Sequence, residues 1–381
     1  MRILHITGTL SEGGLETFLI TLLPSLKQQI PGSTMDVLVL DKNKDSMADE
    51  FERSGIHVIH GKYASVRNPL NLFFLYKYIR RYDFIHAHLF PAQYFVALIS
   101  LLCRKKRIFV TTEHSAWNRR REKPWLFRPV EKLVYRCYDA ITAVSKAAKI
   151  ALDTWAGTGR RSLVVYNGIP LRRFINATGY TKKEIGLKSE DVAVIMVARF
   201  FSQKDHLTPV RAIALLPEKY HLFYVGSGDT ARCREEVNRC SVGHRVHFLG
   251  RRADIPRLAK ASDIGVLASF YEGFGLSTVE IMAAGRPVIV SDIDGIREVV
   301  EGAGLLFENG NERDLAEKIR YLTEHPAVYE EVACRCEQRS LDFNIDTTVK
   351  EYTTLYTNLI NGRGIKYHEF IVLVERIIKT Y

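Results

Sequence analysis

Short apolar runs recur along the chain, each followed by a longer stretch whose apolar residues fall three and four apart. The first pattern belongs to buried strands and the second to amphipathic helices. In the first half, residues 2–6, 35–40, 57–60, 84–87, 108–112, 140–144 and 164–166 read as strands. Residues 15–29, 69–82, 92–102 and 129–138 read as helices. The second half repeats the plan, with strands at 193–198, 221–225, 246–249, 264–268, 287–291 and 305–307. Helices are expected at 206–216, from the turn at 226–229 to 240, and at 255–261, 279–284 and 312–323. Such alternation makes βαβ units and parallel sheets.

A chain of 381 residues exceeds one ordinary core. The turn Asn167-Gly168-Ile169-Pro170 marks the join. The reading is α/β, with two doubly wound Rossmann-like domains at 1–170 and 171–344. The helical pattern restarts at 347 and runs to 361, and a helix there is expected to cross back, so that 345–381 joins the first domain. Residues 365–381 alternate apolar and basic positions and are expected to lie against their own domain.

Composition fits a globular protein, with 46% hydrophobic and 25% charged residues. The six cysteines lack metal or redox spacing and read as free thiols in a reducing compartment. The chain opens directly on a strand-like run, and its longest apolar segment, 94–103, is too short to span a bilayer. A cytoplasmic protein is expected, either cytosolic or in peripheral contact with the anionic inner face of the cytoplasmic membrane.

The charge supports that contact. The net charge is +11, and it is one-sided. Residues 1–170 hold 25 Lys/Arg against 14 Asp/Glu, whereas 171–381 hold 29 of each. Residues 104–136 carry eleven basic and three acidic side chains, with Trp117, Trp125 and Phe127 interleaved. Such a field draws anionic partners: a membrane, a nucleic acid or a phosphorylated acceptor. No compact basic-aromatic RNA module is present, so nucleic acid is not an expected partner.

Candidate chemistry concentrates at 270–287, FYEGFGLSTVEIMAAGRP. Glu272 precedes the Gly-rich turn Gly273-Phe274-Gly275, and Glu280 lies on the helical run that follows. A helix opening at such a turn offers free N–H groups and a positive dipole end to a phosphate. An ionised carboxylate beyond it can accept both hydroxyls of a ribose diol. An ordinary α/β turn with two solvated glutamates has the same spacing. Arg199 and Lys204 share the loop after the strand at 193–198, with the Glu272 loop expected two strands away on the same sheet edge. Two cations there can hold a diphosphate and stabilise it as it leaves. In the first half, Glu12-Gly13-Gly14 also joins a strand to a helix, but without the dinucleotide pattern G-x-G-x-x-G. His86 and His88 fall on one face of a strand end, and His114 ends another. No acidic residue stands at ligand spacing from them, so no metal is expected, and hydrogen bonding to a sugar hydroxyl fits better.

Taken together, these motifs resemble glycosyltransferase family 4, retaining enzymes of the GT-B fold, over nearly the whole chain. The resemblance rests on EGGLE at 12–16, HAH at 86–88, TEHS at 112–115, AVSK at 143–146 and NGI at 167–169. It continues through ARFFSQKDH at 198–206, VGSGD at 225–229, FLGRRADI at 248–255, ASFYEGFGLSTVEIMAAGRPVIVSD at 268–292 and GLLFENGNERDLAEKI at 304–319. It implies two domains facing a cleft and transfer from a nucleotide-diphosphate sugar, UDP rather than GDP, to a saccharide or lipid-linked saccharide. The product would serve surface polysaccharide or glycolipid assembly.

By the same resemblance Arg199 and Lys204 grip the diphosphate, Glu280 binds ribose and Glu272 faces the donor sugar. Gly273, Phe274, Gly275, Leu276 and Ser277 would supply backbone N–H groups, and Gly14 would approach the diphosphate. His88 matches the histidine near the reaction centre. Arg251 falls in the base-contacting segment, and Glu298 near the acidic position of the last donor loop. With the leaving charge offset by cations, no cofactor is expected and a metal is not obligatory. Ile281 departs from the usual alanine, and residues after 361 have no family counterpart. A nucleotide-sugar epimerase of the same architecture is the alternative enzyme, and a basic RNA-binding protein the alternative from another class.

Overall fold

A computed structural model of the chain describes residues 1–103 and 107–362. The backbone divides into two units, Met1–Tyr166 with the segment from Asp346, and Asn167–Ile345. The expectations for residues 363–381 lie outside the described residues.

Unit 1 alternates β1 (Arg2–Thr7), α1 (Gly14–Gln29), β2 (Thr34–Val39), α2 (Ala48–Arg53), β3 (His57–Ile59) and α3 (Asn71–Ile79). It continues with β4 (Phe84–His88), α4 (Ala92–Cys103), β5 (Ile108–Glu113), α5 (Pro124–Arg136), β6 (Ala140–Ala143), α6 (Lys146–Ala156) and β7 (Ser162–Val164). All seven strands are parallel, in the order β3-β2-β1-β4-β5-β6-β7. Their alternation gives the sheet two unlike faces. Leu4, Ile6, Ile85, Phe109 and Ile141 share an apolar core with Leu75 of α3, Val96 of α4, Val134 of α5 and Leu152 of α6. His5, His86, Thr112 and Thr142 belong to the other set.

Local signals explain some boundaries. Ser145 accepts a hydrogen bond from the Ala148 amide at 3.1 Å, and Gly157 ends α6 in the left-handed region, a pairing of cap and stop. α5 begins at Pro124, five residues before the start read from the sequence, so Pro129 stands inside the helix.

Unit 2 comprises α7 (Leu171–Ile175), β8 (Val192–Val197), α8 (Leu207–Ala214), β9 (Tyr220–Val225), α9 (Ala231–Arg239), β10 (Val246–Phe248) and α10 (Ile255–Ala261). After these come β11 (Ile264–Leu267), α11 (Leu276–Ala283), β12 (Val288–Ser291), β13 (Leu305–Phe307), α12 (Glu312–Glu324) and α13 (Pro326–Ser340). The parallel order is β10-β9-β8-β11-β12-β13. Strand progression reverses between β8 and β11, the position where open α/β sheets bind ligands. One expectation is corrected here. β8 and β11 are not two strands apart but paired directly, Val194 with Ile264 and Ile195 with Gly265. α14 (Ile345–Ile360) then returns the chain to unit 1, where Tyr352 and Tyr356 are fully buried.

Candidate functional site

In unit 2 the loops leaving β8 and β11 are stitched together by backbone. The Asp205 amide donates to the Ala268 carbonyl at 3.0 Å, and the Phe270 amide to the Gln203 carbonyl at 2.9 Å. The Gln203 side-chain amide donates to the Tyr271 carbonyl at 2.8 Å. This zipper brings the Lys204 ammonium into an ion pair with Oε1 of Glu272. Ser269 Oγ donates to the same oxygen at 3.0 Å. Both charges are largely withdrawn from water, so each needs the other. A diphosphate that takes the ammonium would leave Glu272 free to accept from hydroxyl donors. Asp205, beside Lys204, is buried and caps α8. It accepts from the Leu207 and Thr208 amides at 3.1 and 3.0 Å and from Thr208 Oγ1 at 2.5 Å.

Arg199 stays exposed in the same loop, its guanidinium 6.0 Å from the Phe201 ring. The turn at 226–229 braces its backbone. The Phe200 amide donates to the Ser227 carbonyl at 2.8 Å, and a Cβ added to Gly226 would fall 2.1 Å from the Ala198 carbonyl oxygen. Only glycine permits that approach.

Gly275, at φ +83°, turns the chain into α11. Gly273 and Phe274 are buried, whereas Leu276 and Ser277 are partly exposed at the helix start. The Phe274 ring meets Phe343 edge-on at 5.2 Å, so its side chain is structural and only its backbone is available to a ligand. The loop at 292–297 presses on this turn from behind. A Cβ on Gly295 would lie 2.4 Å from the Glu272 carbonyl oxygen.

Glu280 keeps part of its surface open on α11. Burial nonetheless raises its carboxyl to about 7, with the Arg173 charge pulling the other way. Among the described residues its carboxyl makes no hydrogen bond, while its backbone carbonyl accepts from the Ala284 amide at 3.1 Å. Arg251 is exposed just past β10. The Glu298 carbonyl accepts from Arg339 at 2.6 Å, which ties that loop to α13.

Unit 1 has a different chemistry. Gly14 is exposed at the first turn of α1, after Gly13 in extended backbone. His5 pairs with His86 across β1 and β4. His88 is buried, and both its ring nitrogens are engaged. Nε2 lies 3.0 Å from His5 Nδ1, and Nδ1 lies 3.2 Å from His114 Nε2. The far nitrogen of His5 lies 3.5 Å from the Tyr356 hydroxyl, which also meets His86 Nδ1 at 2.5 Å. His86 Nε2 meets Thr112 Oγ1 at 2.7 Å, and Thr112 meets Thr142 at 2.6 Å. Burial lowers His5 and His114 to about 3 and holds His86 and His88 well below the usual value. The rings are therefore neutral near pH 7, and each carries one N–H and one lone pair. The chain can run in either direction, and reversing it switches every tautomer together.

His5, His86 and His88 place nitrogens within 4.8 Å of one another, and imidazole is a zinc-type ligand. Every nitrogen of the three already has a hydrogen-bonding partner, so the geometry is that of a relay of rings. The sequence pointed to His86, His88 and His114 but not to His5 or Tyr356. Finding those two required the β1–β4 pairing and the return of α14.

Residues 12–173 match the family model described as Glycosyltransferase Family 4, and residues 180–339 match Glycosyl transferases group 1. The chain belongs to glycosyltransferase family 4. One relative in the family is the N,N'-diacetylbacillosaminyl-diphospho-undecaprenol alpha-1,3-N-acetylgalactosaminyltransferase of Campylobacter jejuni. It is 31% identical over 202 residues, covering 51% of this chain and 54% of that enzyme. The chain thus spans about half the length of this relative, and 61% of the glycosyltransferase MJ1607 of Methanocaldococcus jannaschii. The UDP-Gal:alpha-D-GlcNAc-diphosphoundecaprenol alpha-1,3-galactosyltransferase of Escherichia coli is 23% identical over 87% of this chain and 91% of its own. The fold is GT-B. Anabaena Alr3699/HepE, solved with UDP-glucose, superposes with a TM-score of 0.83 at 23% identity, covering 94% of this chain and all of that one.

Proposed function

We propose that this protein is a retaining glycosyltransferase that moves a sugar from a UDP-sugar to a saccharide or lipid-linked saccharide in surface-glycan assembly. The observation that carries the reading is the Lys204–Glu272 pair at the β8/β11 reversal, beside the exposed Arg199. Lys204 and Arg199 would take the diphosphate, and the α11 start would add backbone N–H groups. Glu272, released from Lys204 and still held by Ser269, would accept from the sugar hydroxyls. Glu280 would take the ribose diol and Arg251 the base. As the anomeric C–O bond breaks, its electron pair goes to the departing diphosphate, where the cations offset the charge, and an acceptor hydroxyl oxygen bonds to the anomeric carbon on the same face. That diphosphate can accept the acceptor's proton, so the step calls for no cofactor. Within unit 1 the histidine chain, with His114 at its partly exposed end and His88 behind it, would offer hydrogen bonds to a hydroxyl-bearing ligand.

The named activities of the Campylobacter and Escherichia relatives support a diphospho-undecaprenol acceptor, and the UDP-glucose complex of HepE supports a uridine donor. The test is incubation with a panel of UDP- and GDP-sugars, with and without a prenyl-diphosphate saccharide, read by mass spectrometry and NMR. A new α-linked glycoside formed only when the acceptor is present supports transfer. An isomerised nucleotide sugar without acceptor would make the protein an epimerase instead. Conversion of neither kind would reject the reading.

A further inference from the structure

α4 and α5 are neighbours over the apolar face of the unit 1 sheet, joined by the Tyr94 hydroxyl donating to Glu131 at 2.8 Å. Each also turns a second apolar row outward. On α4, AQYFVALISLLC has no charged residue in twelve positions. Val96 and Ile99 fill the core, while Leu98, Leu101 and Leu102 point to solvent, the last two 64% and 77% exposed. On α5, Val134 and Tyr135 are buried, while Leu126, Val130 and Leu133 stand outward at helical spacing. Trp125, 78% exposed, lies at the helix start. A helix that is apolar on both its core and its outer side needs a second apolar environment.

Charge says which one. Arg128, Lys132 and Arg136 recur every four residues on α5, so they form a row beside the apolar one. Arg119 and Lys123 are exposed just ahead of the helix. The acid of α5, Glu131, is buried and paired with Arg120, which also lies over the Phe90 ring at 4.7 Å. Its charge therefore does not dilute the row. Glu122 is the exposed acid of the preceding turn. Leucines and a tryptophan flanked by cations form the pattern of a helix that lies in a lipid interface. No described helix is long and apolar enough to cross a membrane.

We propose that the outer face of α4 and α5 docks on an anionic lipid bilayer, with Leu101, Leu102, Trp125 and Leu133 entering the headgroup–acyl boundary and the α5 cations meeting lipid phosphates. This stands apart from the transferase reading, because it needs neither donor nor acceptor. It also gives part of the excess charge of the first half a location on the surface.

The experiment is co-sedimentation of the full chain with vesicles of phosphatidylcholine alone or mixed with phosphatidylglycerol, at low and high salt. Binding is expected to phosphatidylglycerol vesicles, and to weaken as salt rises. The double variant Leu102→Gln/Leu133→Gln should lower binding about tenfold or more, because apolar side chains leave the boundary. Lys123→Gln/Arg136→Gln should lower it roughly fivefold per cation and reduce the salt dependence. Circular dichroism melts check that both variants stay folded, as expected for exposed positions. Three results would overturn the proposal. Wild-type protein could ignore anionic vesicles, or both variants could bind like wild type. Sedimentation velocity could instead show a dimer that these substitutions dissolve, so that a second copy covers the face.

Discussion

In unit 2 the loops leaving the two strands at the sheet reversal bring a cation and a carboxylate together. In unit 1 the paired strands β1 and β4 bring neutral rings together. The architecture is the same, and the chemistry differs because burial treats charge and dipole differently. Lys204 and Glu272 lie deep enough that either alone would be costly, and they are paired. The histidines of unit 1 need no counterion. Burial keeps them neutral, and each lends one donor and one acceptor to its neighbours. A paired cation can be claimed by a stronger anion, which suits a diphosphate. A chain of neutral rings can hold tautomers and orientation, which suits a sugar.

The sharpest way to break this comparison is Lys204→Ala. Transfer, measured as kcat/KM, should fall about 10²–10³-fold if, as proposed, the Lys204 charge stabilises the leaving group. Stability should fall by ~3 kcal/mol in denaturant melts, because Glu272 is left buried and unpaired. Adding Glu272→Gln should restore much of the stability and none of the activity. If the single variant kept full activity, the cation would have no part in catalysis.

Unit 1 should respond in kcat alone. His5→Asn or Tyr356→Phe interrupts the ring chain behind His88, so on the proposed reading kcat should drop roughly tenfold while KM for the donor stays near wild type. Nitrogen-15 NMR of the histidines should show the His88 tautomer becoming mixed. A KM effect without a tautomer change would assign these residues to packing.

The pH dependence separates the units more finely. The Glu280 carboxyl titrates near 7 in the folded chain, above the ordinary 4.5. Its protonated form therefore supports the fold. That contribution is full below 4.5 and is lost as pH rises through 7. In the proposed site a ribose diol donates to the ionised form, so UDP affinity should run the opposite way and increase from pH 6 to 8. Calorimetric titration should show a slope of up to about tenfold per pH unit below 7. Glu280→Gln should flatten both trends. A Glu280→Gln profile parallel to wild type would place the titrating group elsewhere.

Gly226→Ala carries the smallest expected effect. It should destabilise unit 2 by ~1–3 kcal/mol through the clash with the Ala198 carbonyl and weaken nucleotide binding by moving Arg199. An unchanged melting temperature would mean that the turn at 226–229 does not brace that loop.

Period and turn signals made the alternating plan readable. The apolar runs of β8, β9 and β11, the Gly-rich start of α11 and the cations of the 198–206 loop all stand in the sequence. Strand order and long-range contacts do not stand there. The direct pairing of β8 with β11 follows from strand order, which the runs themselves do not encode. α6 and α13 lie outside the helices expected from periodicity, although Ser145 and Gly157 mark the ends of the first and Pro326 opens the second. In the site, Ser269 shows its role only once the loop folds it onto Glu272. Tyr356 reaches His86 from 270 residues away, a separation no local pattern reports. The exposed rows of α4 and α5 read as core periodicity until the filled side of each helix is known.

The most direct measurement is a thermal-shift titration with UDP on wild type, Lys204→Ala, Glu280→Ala and His5→Asn. The expected result is a rise in Tm for wild type and His5→Asn that is absent from both unit 2 variants. A wild type indifferent to millimolar UDP and GDP, or a rise that survives both unit 2 substitutions, would contradict a diphosphate site at the end of the second sheet.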